Sequence, residues 1–333
     1  MDISKEDINK LNIYFEEKDI DKLCNNQYSQ NMFVEGDNLK SMKVLRDDYN
    51  GKIKLLYVDP PYNTGSEFIY DDESNDSLGG YNKYSDDKEK YYSSINDRHE
   101  KWKAMMAPRL MMAKEYLKED GVIAVSIDDN EMFELRMLLN EIMGEENFLG
   151  VLVWRRKNYN YEKKRGIETQ HEYIVLYKKS DLYSDKYKKP ISSWIDFSKN
   201  EFIKENNDSY QLSCCYQDAC KKDIDEIFGR DMNINYPKSV MQMKMLVDLF
   251  CSKNDIVMDL FAGSGTMEQA IIEYNVEHDE HITFLAFQLA KPTSKGGFKT
   301  ISEIAWERCM LVIKKCYKNT KMMENIRRIR IES

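Results

Sequence analysis

The run Ile53-Lys54-Leu55-Leu56-Tyr57-Val58-Asp59-Pro60-Pro61-Tyr62-Asn63 decides the fold class. Ile53 to Val58 is an apolar segment with the length of a short buried strand. It stops at an acid, two prolines and an aromatic. Pro60 and Pro61 have no N–H to give to a sheet ladder, so the strand ends there. Pro61 also holds Pro60 extended. The result is a stiff corner at the carboxyl end of a strand, with one carboxylate and one phenol in fixed directions. In an open α/β sheet, that end of the strand is where ligands bind.

A flat base bearing an exocyclic amine suits such a corner. Its ring stacks on Tyr62, and its amine hydrogens are accepted by Asp59 and by the Pro60 carbonyl. Accepting both hydrogens turns the nitrogen lone pair out of the ring and toward an electrophile. A Pro-Pro turn with a solvated Asp and a packed Tyr has the same sequence, so a second feature has to select between the two. That feature is Ile256-Val257-Met258-Asp259-Leu260-Phe261-Ala262-Gly263-Ser264-Gly265-Thr266. It reads as a strand carrying an acid, a glycine-rich turn, and a helix from Thr266. The glycines permit positive φ and close backbone approach to a ligand, and the helix start presents free N–H groups. Two glycines are present rather than the three of a dinucleotide fingerprint, and no Lys follows as in a phosphate loop, which argues against NAD and ATP.

Together the two stretches resemble the amino-methyltransferases of DNA, which use S-adenosylmethionine. In that family Asp-Pro-Pro-Tyr grips the target amine and Phe-x-Gly-x-Gly cradles the cofactor. Here the catalytic motif precedes the cofactor motif. This order resembles the β class and, more closely, the modification (Mod) subunits of type III restriction-modification systems, over residues 30–180 and 236–318. The resemblance implies an α/β, Rossmann-like methyltransferase fold: a mostly parallel sheet with helices on both faces, a circularly permuted motif order and an inserted target-recognition region. It divides the chain into an N-terminal extension (1–30), a catalytic half (31–153), a target-recognition insert (154–236) and a cofactor-binding half (237–333).

The resemblance also implies roles. Asp59, Pro60, Pro61 and Tyr62 are the catalytic residues; Asp37, Lys238, Asp259, Phe261, Ala262, Gly263, Ser264, Gly265, Thr266 and Gln288 are the cofactor site. Asp37 follows a strand, so it serves as a helix N-cap, as an acceptor for the cofactor's adenine amine, or as both. Lys238-Ser239 stands where Mod proteins have Lys-Pro, at a helix start that meets the cofactor's methionine end. Past the strand 282–287, Lys291 stands where the family has a ribose-binding acid, and a lysine cannot accept a hydrogen bond. Gln288 is the expected substitute acceptor. Asp59 favours adenine N6 as the target, since family members acting on cytosine N4 more often carry Ser there. Cytosine N4 is the alternative, and a non-catalytic DNA-binding subunit is a third reading. The transfer needs no metal, and the expectation is none.

Composition sets outer bounds. The 333 residues, 42% hydrophobic, suffice for one large domain or one domain with an insertion. No apolar run approaches the length of a membrane span, and Met1 to Asn9 lack the character of a signal peptide. Seven scattered cysteines have no zinc spacing. The expected place is a reducing cytoplasm, bacterial or of a phage-infected host. The net charge of −9 is unpromising for a DNA binder, but net charge is not local charge. From Arg155 to Lys189 eleven basic residues face five acidic ones. Within that run Arg155, Arg156, Lys157, Tyr159, Tyr161, Lys163, Lys164 and Arg165 mix cations with aromatics, suited to phosphates and exposed bases. A solvated face is the usual reading of such a run; with the two motifs in hand nucleic-acid contact is preferred, and the resemblance implies double-stranded DNA as partner, with a homodimer or a restriction or specificity subunit.

Further elements follow from periodicity. A helix over 98–119 carries Trp102, Met105, Met106, Leu110 and Ala113 as a core stripe, and 121–127 is a buried strand. Asp128, Asp129 or Asn130 caps a helix bearing Phe133, Leu135, Leu138 and Ile142. Residues 172–178 form another strand, and 236–250 an amphipathic helix. The polar stretch 63–97 reads as a flap over the catalytic corner.

Overall fold

The structure is a computed structural model. It describes residues 13–14, 31–64, 98–156, 169–198, 201–234, 237–316 and 326–331. The expected flap from residue 65 on lies outside the described residues, as do the expected DNA contacts Lys157, Tyr159, Tyr161, Lys163, Lys164 and Arg165.

In chain order, the strands are β1 (Ile13–Tyr14), β2 (Asn31–Glu35), β3 (Ile53–Val58), β4 (Leu117–Ile127), β5 (Phe148–Arg155), β6 (His171–Lys178), β7 (Ile191–Phe197), β8 (Ile203–Glu205), β9 (Tyr210–Cys214), β10 (Ile256–Asp259), β11 (Thr283–Gln288) and β12 (Ile326–Ile331). The α-helices are α1 (Asn38–Tyr49), α2 (Arg98–Tyr116), α3 (Met132–Met143), α4 (Gln217–Phe228), α5 (Val240–Phe250), α6 (Thr266–His278) and α7 (Ile301–Cys316). The strands form one sheet in the order β1-β12-β2-β11-β10-β3-β4-β6-β5-β7-β9-β8.

All neighbours from β12 to β4 are parallel; β6 runs antiparallel between β4 and β5, and β7 and β9 again run parallel to β5. The carboxyl ends of β11, β10, β3, β4, β5, β7 and β9 therefore share one edge, joined there by the amino end of β6. β2 and β3 are consecutive through α1, yet β11 and β10 lie between them. The C-terminal strands thus fill the middle of the sheet. Two motifs some 200 residues apart in sequence become neighbours this way, with Asp259 of β10 in register with Tyr57 of β3.

Alternation along the strands makes two cores, one per face. On one face Leu55, Tyr57, Val257 and Phe284 pack with Met243, Leu246, Ile271 and Val312 from α5, α6 and α7. On the other, Leu56, Val58, Met258 and Leu285 pack with Met42, Trp102, Leu110 and Leu135 from α1, α2 and α3. Burying each such aliphatic side chain contributes about 1.5–3 kcal/mol. The stripe on α2 is core, as its spacing indicated: Trp102, Met106, Leu110 and Ala113 are all buried. Among the described residues no helix is long and apolar enough to cross a membrane.

Three local expectations are corrected. The helix expected to 119 ends at Tyr116, because the chain already pairs with β3 at Leu117. Asp128 does not cap α3: its carboxylate folds back on the backbone and side chain of Asn130, while Asp129 accepts from Tyr173 Oη. Phe133, placed by its spacing on the apolar face of α3, is 71% exposed. The stretch 180–234 adds β7, β8, β9 and α4, and these strands extend the common sheet.

Candidate active site

The catalytic corner is held from several directions. β3 ends at Val58, and Pro60 is buried behind it. The Trp102 indole donates to the Pro61 carbonyl at 2.6 Å. Asn63 sits at φ 55°, and its amide donates to the Arg98 carbonyl at 3.1 Å and to buried Glu131. Asn tolerates this left-handed conformation better than most residues. The corner is thus closed by two residues from α2, one from the turn before α3, and its own asparagine.

Four charged or polar side chains converge in front of it. Lys238 Nζ lies 2.8 Å from Glu172 Oε2 and 3.2 Å from Asp59 Oδ1, and it also donates to Tyr62 Oη. Its ammonium stands 4.7 Å from the centre of the Tyr62 ring. Tyr62 Oη donates to Glu172 Oε2 at 3.3 Å, and Arg156 Nη1 holds Glu172 Oε1 at 3.0 Å. The contact from Lys238 to Asp59 is an ion pair without hydrogen-bond alignment: Asp59 Oδ1 is buried and makes no hydrogen bond. Lys238 balances the charge of Oδ1 without filling its hydrogen-bonding capacity, which leaves room for a further donor.

The charges explain one another. Burial raises the Asp59 pKa, opposed by Lys238 and assisted by the like charge of Glu172. Burial also presses on Glu172, but Lys238 and Arg156 outweigh it and lower its pKa. Burial would strip the Lys238 proton; Asp59 and Glu172 more than compensate and raise its pKa. The Tyr62 phenol is pushed well up by burial and by both carboxylates, so it stays protonated. Asp59 is therefore more basic than an ordinary aspartate, as suits a proton acceptor.

The glycine turn is held mainly through backbone and by one buried arginine. Asp259 is 2% exposed and accepts from Phe261 N at 3.1 Å. Ala262 N donates to the Phe287 carbonyl at 2.9 Å, and Gly263 N to Gln288 Oε1 at 2.7 Å. Gly263 and Gly265 have φ of 56° and 82°, which disfavour side chains. A Cβ on Gly265 would stand 3.1 Å from the Ala305 carbonyl, so α7 packs directly on the turn. Arg308 of α7, fully buried, donates to Gln269 Oε1 (2.6 Å), the Ser264 carbonyl (3.1 Å) and Thr266 Oγ1 (2.9 Å). Burial lowers its pKa to about 10, still charged near neutrality. Asp259 and Glu268 are buried together; burial comes first and their mutual repulsion adds to it for Asp259, so both pKa values rise, Glu268 to about 7.

One cavity of about 230 Å³ joins the two regions. Of the expected residues, Asp59, Lys238, Asp259, Phe261, Ala262, Gly263, Ser264 and Thr266 line it; Pro60, Pro61, Tyr62, Asp37, Gly265 and Gln288 do not. Asp37 is the N-cap of α1: its Oδ1 accepts from Lys40 N at 2.9 Å, and its Oδ2 from buried Arg109 at 2.8 Å. Gln288 spends its amide oxygen on the glycine turn. Lys238, expected at the cofactor's methionine end, reaches the catalytic carboxylate. Lys291 is exposed and does not line the cavity, whereas Lys295 does. Sequence reasoning assigned no role to Glu172, Arg308 or Lys295. For Glu172 there was a signal, an acid heading the otherwise apolar run Tyr173 to Tyr177.

The donor set fits S-adenosylmethionine. Asp59 offers a carboxylate for a sulfonium, Asp259 a buried polar carboxyl, and Lys295 a cation for a carboxylate. Phe261, Ile301 and Ile304 offer apolar surface for a flat base. A Cβ at Gly263 would meet only the Phe261 carbonyl, at 3.8 Å, so a ligand can come close to the backbone there.

A family profile described as DNA methylase (N6_N4_Mtase) matches residues 53–281, well over half of the chain. The chain belongs to this DNA methylase family. Within it, the chain is 26% identical over 385 aligned residues to the Mod subunit of the StyLTI type III restriction-modification enzyme of Salmonella typhimurium, covering 89% of this chain and 59% of that protein. It is 34% identical over 190 residues to the type II methyltransferase M.KpnI of Klebsiella pneumoniae, covering 55% of this chain and 42% of that one. The chain thus spans less than two thirds of the length of these relatives. Its fold matches that of the PvuII DNA methyltransferase, described as cytosine-N4-specific, with a TM-score of 0.50 and 13% identity over 86% of this chain and 94% of the other.

Proposed function

We propose that the chain methylates N6 of a flipped-out adenine in double-stranded DNA, with S-adenosylmethionine as methyl donor. The observation that carries this reading is Asp59 Oδ1, a buried acceptor without a hydrogen bond, sharing a cavity with the glycine turn. Membership of the DNA methylase family supports it.

The chain's residues divide the work. A base inside a duplex cannot reach a strand-end carboxylate, so it leaves the stack at a cost of a few kcal/mol. Stacking on Tyr62 and hydrogen bonds from the amine to Asp59 and the Pro60 carbonyl recover that cost. Tyr62 is held for this by Glu172 and Lys238. Asp59, made more basic by burial against the opposing pull of Lys238, takes the amine proton. Residues of the glycine turn, with Asp259, would hold the cofactor, and Arg308 keeps the turn in shape. Bound S-adenosylmethionine supplies an activated methyl group on a sulfonium. With an electrophile that strong, the protein contributes chiefly positioning and a dry site.

Arg155 and Arg156 sit at the carboxyl end of β5 on the same edge of the sheet, where phosphate contacts would position the duplex. The type III Mod subunits among the relatives support a restriction-modification setting, with a restriction subunit or a second copy as partner and the bacterial cytoplasm as the place. Mass spectrometry of nucleosides from unmethylated DNA incubated with the chain and the cofactor tests the reading. N6-methyladenine is expected; N4-methylcytosine would replace the target, and no modified base would remove the activity.

A further inference from the structure

We propose that Phe197, Tyr216 and Arg155 form a second base-binding site, a stacking shelf for an unpaired nucleobase of the DNA strand beside the flipped target. The inference rests on the reading of the cavity as a DNA methylation site.

Phe197 and Tyr216 come from different elements, the end of β7 and the residue before α4. Their rings are nonetheless stacked, with centroids 4.4 Å apart and planes within 20°. The guanidinium of Arg155 lies 5.9 Å from the Tyr216 ring centre. The pair is not core. Ile195, on the same face of β7, is fully buried, while Phe197, two residues on, is 46% exposed. Single exposed apolar residues need no explanation, but two rings held parallel with a cation beside them have the form of surfaces that take unpaired bases.

The position favours DNA over other flat ligands. Arg155, Phe197 and Tyr216 lie at or just past the carboxyl ends of β5, β7 and β9, on the edge that carries Asp59 and Asp259. Short links connect the shelf to the catalytic corner. Gln217 N donates to the Arg156 carbonyl at 2.8 Å, and Arg156 holds Glu172. Cys215, adjoining Tyr216, contacts the hydroxyl of Ser239, which adjoins Lys238, at 3.1 Å. Arg155 also opens a segment with six basic residues by Arg165, charge complementary to a phosphate backbone. A strand whose target base enters the cavity would leave its neighbouring bases at this edge with their faces open, and the shelf would take one of them.

The test titrates the full chain into single-stranded oligonucleotides carrying 2-aminopurine, whose fluorescence is quenched on stacking, and into an abasic strand of equal length. The wild type is expected to quench. Phe197→Ala and Tyr216→Ala should lose most of the quench and weaken base-bearing strands fivefold or more, with abasic binding unchanged and Tyr216→Trp retaining both. Phe197 is half exposed, so its removal leaves the fold intact. Wild-type quenching by Phe197→Ala, or equal weakening on the abasic strand, would overturn the shelf. Methyl transfer to unmethylated phage DNA is measured in parallel. Loss of quench in the variant beside a wild type that transfers no methyl group would support the shelf and sink the methylation reading instead.

Discussion

The two walls of the cavity are built on opposite principles. The corner at Asp59 depends on charged side chains: Lys238 opposes the rise that burial gives the Asp59 pKa, Lys238 and Arg156 lower that of Glu172, and both carboxylates raise that of Lys238. The glycine turn depends on backbone hydrogen bonds, close packing on α7 and one buried guanidinium. A wall of mutually dependent charges is tunable, and its failures should appear in rate and pH profile. A wall of backbone is rigid, and its failures should appear in affinity and stability.

The sharpest way to break this contrast is Arg308→Met. The variant strips donors from Gln269, the Ser264 carbonyl and Thr266 inside the core. A loss of about 3–5 kcal/mol of stability is expected from breaking so buried a charge network, with cofactor affinity down at least a hundredfold. Chemical denaturation and calorimetry measure both. A stable variant with normal affinity would mean the turn needs no brace. Lys238→Met probes the other wall. Lys238 holds the Asp59 pKa down, so its removal raises that pKa, and Asp59 gains its proton at higher pH. The acid limb of the transfer rate should move toward neutrality and the rate at pH 7 fall on the order of tenfold, with some loss of stability as well, because Asp59 and Glu172 lose a buried counter-charge. A pH–rate profile with its acid limb unmoved would detach Lys238 from the chemistry.

These two variants also divide what could be read from sequence. Asp59 to Tyr62 and Asp259 to Thr266 stood out because each is a local pattern, a strand followed by a turn, and the presence of each selects among the alternative readings of the other. Their braces were not. Arg308 comes from the last helix, where it reads as one more surface arginine, and Glu172 and Lys238 meet only through the order of strands in the sheet. β5 was missed because it buries only Leu152 and Trp154 and contains Gly150. β7 buries one residue in seven, too weak an alternation to find. Phe133 shows the reverse error, since helical spacing puts a residue on a face without saying that the face is covered.

The smallest expected effect sharpens the rigid wall. The Glu268 pKa is pushed up to about 7 from 4.5. Between those values the unfolded chain releases a proton that the folded chain keeps, so stability falls as pH rises through that window and levels off above it. Glu268→Gln removes that fall. It should raise stability at pH 8 on the order of 1 kcal/mol, and change it little at pH 4. Thermal denaturation at the two pH values checks this, and an equal shift at both would point to packing instead.

The account turns on one carboxylate working across a cavity that a separate wall equips for the cofactor. Calorimetric binding of S-adenosylmethionine and transfer of its labelled methyl group to unmethylated DNA, measured on one preparation of Asp59→Ala beside wild type, test this most directly. The expected result is an affinity within about threefold of wild type and no detectable transfer. Transfer at near wild-type rate by Asp59→Ala would contradict the account.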